Sequence, residues 1–205
     1  MSRLDIEQKL WEEGFDRIMG LDEVGRGCLA GPVVAAGVIL DPNNLIEGIQ
    51  DSKKLSLSER RRLSKEIKKK ALYWTIQEGN LEMIDRLNIL WASLETLDMC
   101  ATSEGANPDY LLVAGNRYLS TLLAHQCVVK GDSKSASIGA ASIIAKVYRD
   151  ELMASYHLEY PEYEWNQNVG YPTNTHKQAL KEFGYTPHHR ISFCLGTTKV
   201  RSPKS

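Results

Sequence analysis

Asp22 and Glu23 stand together in the run Asp22-Glu23-Val24-Gly25-Arg26-Gly27, two carboxylates directly before a glycine-rich turn. Carboxylate oxygens are the ligands that hard cations such as Mg²⁺ or Mn²⁺ take. Neighbouring residues of a strand point to opposite faces, so the two can share a cation only where the strand ends or twists. Gly25 and Gly27 supply that freedom. They also let backbone N–H groups come close to a phosphate that a bulky side chain would hold off. The plain alternative for the same residues is a solvated turn after a strand.

Two further segments carry chemistry. Lys130-Gly131-Asp132-Ser133-Lys134 places a carboxylate at a strand's end immediately before a long helix. Asp132 can reach the crevice that Asp22 faces, while Lys134 and the helix N–H groups are available to phosphate. Asn168 to Thr173, followed by His176, is a turn that presents the ring and hydroxyl of Tyr171; packing under the last helix is its plain alternative. Gly25, Gly27 and Gly31, with Asp41, also fit a dinucleotide-binding loop, but that fingerprint needs a helix straight after the glycines. Pro32 and the β-branched Val33, Val34, Val38 and Ile39 favour a strand there instead. His188, His189 and Cys194 have a spacing that fits no common zinc site.

The elements that position these residues follow from periodicity. An amphipathic helix with Leu4, Leu10 and Trp11 opens the chain, and strands are expected at Ile18 to Val24 and Val33 to Leu40. Ser56 and Glu59 form a capping box for a helix over 57–70 with strongly basic faces, followed by a strand over Ala71 to Ile76. Asn80 caps the first of two helical stretches reaching Thr102. Strands at Tyr110 to Val113 and Cys127 to Lys130 precede a helix from Ser137 to Tyr160, with Ile138, Ala141, Ile144 and Ala145 on one face. Strands alternating with helices indicate an α/β sandwich with a mixed sheet. A loop-and-helix module around Gly170 to Gly184 closes it, ahead of a short basic tail.

With 25 basic and 26 acidic residues the chain has no global positive field, so contact with nucleic acid must use a local patch. Arg26, Lys53, Lys54 and Lys134 are its candidates. The four cysteines are scattered, as in a protein of a reducing cytoplasm. Charges run through Met1 to Asp16 and no apolar run reaches the ~18 residues of a membrane span, so neither secretion nor insertion is expected.

Five stretches taken together, Gly20 to Leu40, Asp51 to Leu55, Lys130 to Asp150, Gly170 to His176 and His189 to Phe193, resemble bacterial ribonuclease HII in order and across nearly the whole chain. The resemblance implies a ribonuclease H-like α/β core over 1–160, a small C-terminal helical module over 161–198 and a tail over 199–205. It implies metal-binding carboxylates at Asp22, Glu23 and Asp132, and a grip on the nucleic-acid backbone by Gly25, Arg26 and Gly27. Tyr171 would pack on the sugar. The implied enzyme uses Mg²⁺ or Mn²⁺, acts as a monomer on RNA/DNA hybrids or on duplex DNA containing ribonucleotides, and cuts on the 5′ side of the ribonucleotide.

The chain departs from that pattern at two places. The family has a fourth carboxylate in the segment Tyr110 to Asn116, where this sequence has Ala114. A methyl group binds no cation, so metal affinity and catalysis are both expected to suffer, and a binder that does not cut efficiently is the rival function. Val169 stands where many relatives have lysine before Gly-Tyr, which removes one expected phosphate contact.

Overall fold

The computed structural model describes residues 4–49, 52 and 54–193. The chain runs α1 (Asp5–Glu12), β1 (Ile18–Val24), β2 (Val33–Ile39), α2 (Leu57–Lys70), β3 (Tyr73–Gly79), α3 (Leu81–Ala101), β4 (Tyr110–Ala114) and β5 (Ala124–Val128). There follow α4 (Gly131–Lys134), α5 (Ala136–Glu159), α6 (Trp165–Asn168) and α7 (Asn174–Phe183). The strands form one mixed sheet in the order β3-β2-β1-β4-β5. β1 and β3 flank β2 antiparallel, while β4 joins β1, and β5 joins β4, in parallel. With β2 a strand, the helix that a dinucleotide loop requires is not there.

Every residue of β2 is buried, as expected of a central strand covered on both faces. Val34, Ala36 and Val38 meet Leu63 and Ile67 of α2 and Ala140, Ala141 and Ile144 of α5. The alternate residues, Ala35 and Ile39, join Met19, Leu21, Leu97 and Cys100 under α3. Period-two alternation thus sorts the strands between two helical layers. α5 lies unusually close to β1, since a Cβ on Gly20 would fall 2.2 Å from the Ser137 carbonyl carbon. Its first turn is fixed by Ser135, whose hydroxyl accepts from the Ile138 N–H, and by the buried Glu7 carboxylate of α1, which accepts from the Ser137 N–H at 2.9 Å. An anion at this end of a helix complements its dipole.

Three boundaries differ from the sequence expectation, those of β3, β5 and α4, while the two helical stretches expected before Thr102 are present. β3 and β5 are shifted, β3 towards Gly79 and β5 back to Ala124, because pairing with β2 and β4 decides which residues of an apolar run are extended. Asp132 lies within the short helix α4 rather than at a strand's end, because Lys130 adopts a left-handed backbone (φ 57°) that turns the chain early. The two stretches before Thr102 join at Asn88 (φ 64°), whose side chain accepts from the Leu90 N–H at 3.0 Å and so caps the second stretch.

The C-terminal segments pack through Tyr160, Tyr163, Trp165, Ala179 and Leu180 onto Leu29, Ala30 and Met153. Among the described residues no helix is long and apolar enough to cross a membrane.

Candidate active site

The register of the sheet builds the site. β1 pairs with β4 only as far as Leu21 opposite Val113, yet its ladder with β2 continues through Asp22, Glu23 and Val24. The strand therefore does not end at the carboxylates; its partner on one side does. Asp22 stands one step beyond the last β1–β4 pair, level with Ala114, the final residue of β4. Gly20 and Leu112 are partners, so Asp22 and Ala114, two residues further along, lie on the same face, towards α5. Glu23 belongs by alternation to the α3 face. It reaches the same opening because that edge of β1 is uncovered.

The parting strands leave a cleft of about 510 Å³ whose lining includes Asp22, Glu23, Ala114, Asp132, Ser142 and Lys146. Arg26, Asn116, Arg117, Lys130 and Tyr171 line it too. Burial pushes the Asp22 carboxyl up to about 8, and the neighbouring Glu23 and Asp132 charges push the same way. A hydrogen bond from Ser142 and the Glu23 N–H at 2.9 Å oppose the shift. Glu23 is raised by burial as well, against the pull of the Arg26 guanidinium 3.2 Å away.

These donors to Asp22, a hydroxyl and an amide, carry no charge. A half-buried carboxylate beside two others, held by neutral groups, is a fitting environment for a divalent cation. Asp22, Glu23 and Asp132 are the residues that would hold it. Among the described residues, however, no three His, Cys, Asp or Glu side chains converge closely enough to form a ready cage. Ala114, whose methyl carries no ligand atom, lies level with Asp22 on the same face.

The glycine-rich turn has a structural reason for its first glycine, whereas a Cβ on the second would make only ordinary van der Waals contact. Gly25 has φ +93°, and a Cβ there would meet Arg149 Nε at 2.2 Å. Gly27 faces Tyr171, whose Cε1 would lie 3.9 Å from an added Cβ, so the Gly-Arg-Gly turn and the tyrosine share one wall. Arg149, fully buried, donates to the carbonyls of Pro32 at 3.1 Å, Ala30 at 3.0 Å and Val169 at 2.7 Å. Arg190 donates to Gly31 and Arg26, each at 2.9 Å. Two buried guanidiniums therefore stitch the 25–32 loop to the C-terminal segments. Sequence reasoning missed both. The signal was Arg149 in the Ala141, Ala145, Arg149, Met153 stripe, a cation at the buried spacing of an otherwise apolar helix face.

The basic residues distribute differently from the sequence expectation. Lys54 and Lys134 are exposed and outside the cleft lining, and Lys53 lies outside the described residues, as does Cys194. Lys130, Lys146 and Arg117 line it instead. Part of the basic face of α2 is paired within the helix: Arg62 with Glu59 and Glu66, and Lys70 with Glu66, all at 2.8 Å. Val169 is held at φ 43° and packs its side chain against the C-terminal cluster.

Carboxylates at the point where two parallel strands part, beside a glycine-rich turn, define a metal-dependent nuclease with the ribonuclease H-like fold. The family profile described as "Ribonuclease HII" matches residues 19–196. The ribonuclease HII of Salinibacter ruber is 50% identical over 196 residues, covering 94% of this chain and 98% of that protein. That of Ruegeria pomeroyi is 47% identical over 189 residues, covering 92% of this chain and 80% of the relative. Among solved structures, RNase HII from Archaeoglobus fulgidus, in its complex with PCNA, superposes with a TM-score of 0.75 at 26% identity, covering 90% of this chain and 98% of the other. The chain belongs to the ribonuclease HII family.

Proposed function

We propose that this chain recognises RNA/DNA hybrids and duplex DNA containing ribonucleotides in the cytoplasm, and that its site is built to cut on the 5′ side of the ribonucleotide. The observation that carries the reading is the shared cleft, in which Asp22, Asp132 and position 114 meet Arg26 of the Gly-Arg-Gly turn and Tyr171. A pair of Mg²⁺ or Mn²⁺ ions would supply activation of water and stabilisation of the leaving oxygen. The protein's part is to hold the scissile phosphate. Backbone N–H groups around Gly25 and Gly27, with Arg26, meet its oxygens, and Tyr171 lies against the neighbouring sugar.

Water adds across the P–O3′ bond that precedes the ribonucleotide, leaving a 3′-hydroxyl on one side and a 5′-phosphate on the ribonucleotide. The 2′-hydroxyl of that ribonucleotide lies on the far side of the broken bond, so it serves as a mark to be read and not as the nucleophile. The rival reading, binding with little cutting, is favoured in this particular chain by Ala114.

Recognition is tested at Tyr171. Tyr171→Ala is expected to lower the preference for a duplex with one ribonucleotide over the matched all-DNA duplex by about tenfold, the scale of ~1 to 3 kcal/mol for a lost ring contact. Equal losses on both duplexes would assign the ring to packing. Binding should also fall with salt. If Arg26, Arg117 and Lys130 each neutralise a phosphate, the plot of log affinity against log salt has a slope of about −3. A flat titration contradicts a phosphate-led interface.

A further inference from the structure

The C-terminal segments contain two histidines and a tryptophan that the reaction does not use, all buried: Trp165, His176 and His189. Their hydrogen bonds fix where each proton sits. The backbone N–H of Thr186 donates to His189 Nδ1 at 2.9 Å, so that nitrogen is an acceptor and the proton of a neutral ring is on Nε2. His189 Nε2 lies 3.1 Å from His176 Nε2. Trp165 Nε1–H, which can only donate, also points at His176 Nε2, at 3.2 Å. His176 Nε2 must then accept, and its proton is on Nδ1, 3.0 Å from the carbonyl oxygen of Tyr171. The order of donation runs from Thr186 through His189 and His176 to Tyr171.

Both rings must be neutral for this order to hold, because two protonated Nε2 atoms cannot face each other. Burial agrees, lowering His176 and taking His189 down to about 3, with His176 and His188 adding to the fall of His189.

The donation sequence ends on a strained turn. Val169, a β-branched residue, sits at φ 43° and Gly170 at φ 86°, where an added Cβ would lie 2.6 Å from the Ala30 carbonyl oxygen. The Tyr171 backbone is held from both sides: its N–H donates to Asn168 at 2.9 Å, and its carbonyl accepts from Thr173 at 2.8 Å as well as from His176. Its side chain projects into the cleft wall beside Gly27.

We propose that His189, His176 and Trp165 form a tautomer-locked relay whose last bond sets the backbone of Tyr171, making them positioning residues for ribonucleotide selection. This rests on the role of Tyr171 given above. None of the three touches substrate.

Asparagine places an amide near the Nδ1 position of histidine, and glutamine near the Nε2 position. His176→Asn therefore keeps a donor to Tyr171, whereas His176→Gln loses it. In EDTA, with this chain otherwise unchanged, the ratio of affinities for the single-ribonucleotide and all-DNA duplexes is expected to fall by about three- to tenfold in H176Q and to stay within about twofold in H176N. All-DNA affinity should hold in both. Equal ratios for the two variants would overturn the relay while leaving Tyr171 its role, provided that Tyr171→Ala still lowers the ratio. A Tyr171→Ala variant with an unaltered ratio would sink both. Should the buried substitutions fail to fold, imidazole ¹⁵N chemical shifts of the unsubstituted protein decide the matter. Nδ1–H at His176 and Nε2–H at His189 are expected, and the reverse tautomer at either ring overturns the proposal.

Discussion

Ala114→Asp is expected to raise divalent-metal-dependent cleavage of a single-ribonucleotide duplex by two or more orders of magnitude, the several kcal/mol that one charged ligand contributes where charge develops. The register makes the position specific. Ala114 ends β4 on the same face as Asp22, one step past the Leu21 and Val113 pair, and adjacent strands lie ~4.8 Å apart. A carboxylate placed there meets the carboxylate of Asp22 across the cleft mouth. The chain beyond is open, for Gly115 at φ +102° has nothing within 4 Å of an added Cβ. Ala114 itself is only partly buried, so the larger side chain enters the cleft without disturbing the cluster of Leu112, Val128 and Ile138 behind it.

Duplex affinity in the absence of metal should change little, since the Gly-Arg-Gly turn and Tyr171 stand on other elements. Like charge added beside Asp22 destabilises the metal-free site, so the variant should melt lower in EDTA and recover on adding Mg²⁺ or Mn²⁺. Single-turnover cleavage at saturating enzyme reads the chemistry without binding differences. Equal rates for the two chains would remove position 114 from the ligand set.

Much of this site was legible before any fold was known. Asp22 and Glu23 before a glycine turn, and Pro32 before a β-branched run, placed a strand–turn–strand, and β1 and β2 have that form, with the carboxylates inside the β1–β2 ladder and not at its bend. Asp132 was legible as an acid near a helix start, but its short helix was not, because a left-handed Lys130 leaves no compositional trace. Which basic residues line the cleft was not legible, for a different reason. Lys130 and Lys134 stand equally near Asp132 in sequence, yet Lys130 lines the cleft with Lys146 and Arg117 while Lys134 and Lys54 do not, which composition alone does not decide. Arg149 was legible only as a cation on an apolar helix face, and the part that it and Arg190 play in holding the loop was not, because their partners are backbone carbonyls, which every sequence has. His188 and His189, adjacent in the chain, part company: His188 stacks on Tyr156 at 3.8 Å between ring centroids, and His189 enters the core.

The carboxylate that makes the site useful also makes the metal-free protein less stable. Asp22 has a folded-state pKa of about 8 against an ordinary value of 3.8, so between those limits the native protein holds a proton that the unfolded chain has released. The unfolded state binds fewer protons throughout that window, and stability therefore falls as pH rises through it, levelling above about 8. Asp22→Asn keeps the shape and removes the titration. In EDTA, D22N is expected to melt above the parent chain at pH 8 by an amount worth on the order of a few kcal/mol, several degrees for a chain of this size. The gap should close as pH falls towards 4, where Asp22 is protonated in both states. A cation competes for the same oxygens, so Mg²⁺ or Mn²⁺ should stabilise the parent increasingly as pH rises and D22N scarcely at all. Cleavage measured in the Ala114→Asp background should drop by about a thousandfold or more when Asp22→Asn is added, because an amide oxygen neither neutralises a cation nor helps to place the water it activates. Melting curves across pH, with and without metal, separate the two effects. A D22N protein no more stable than its parent at pH 8 would show that the carboxylate is solvated in the cleft and does not carry the burial cost assigned to it.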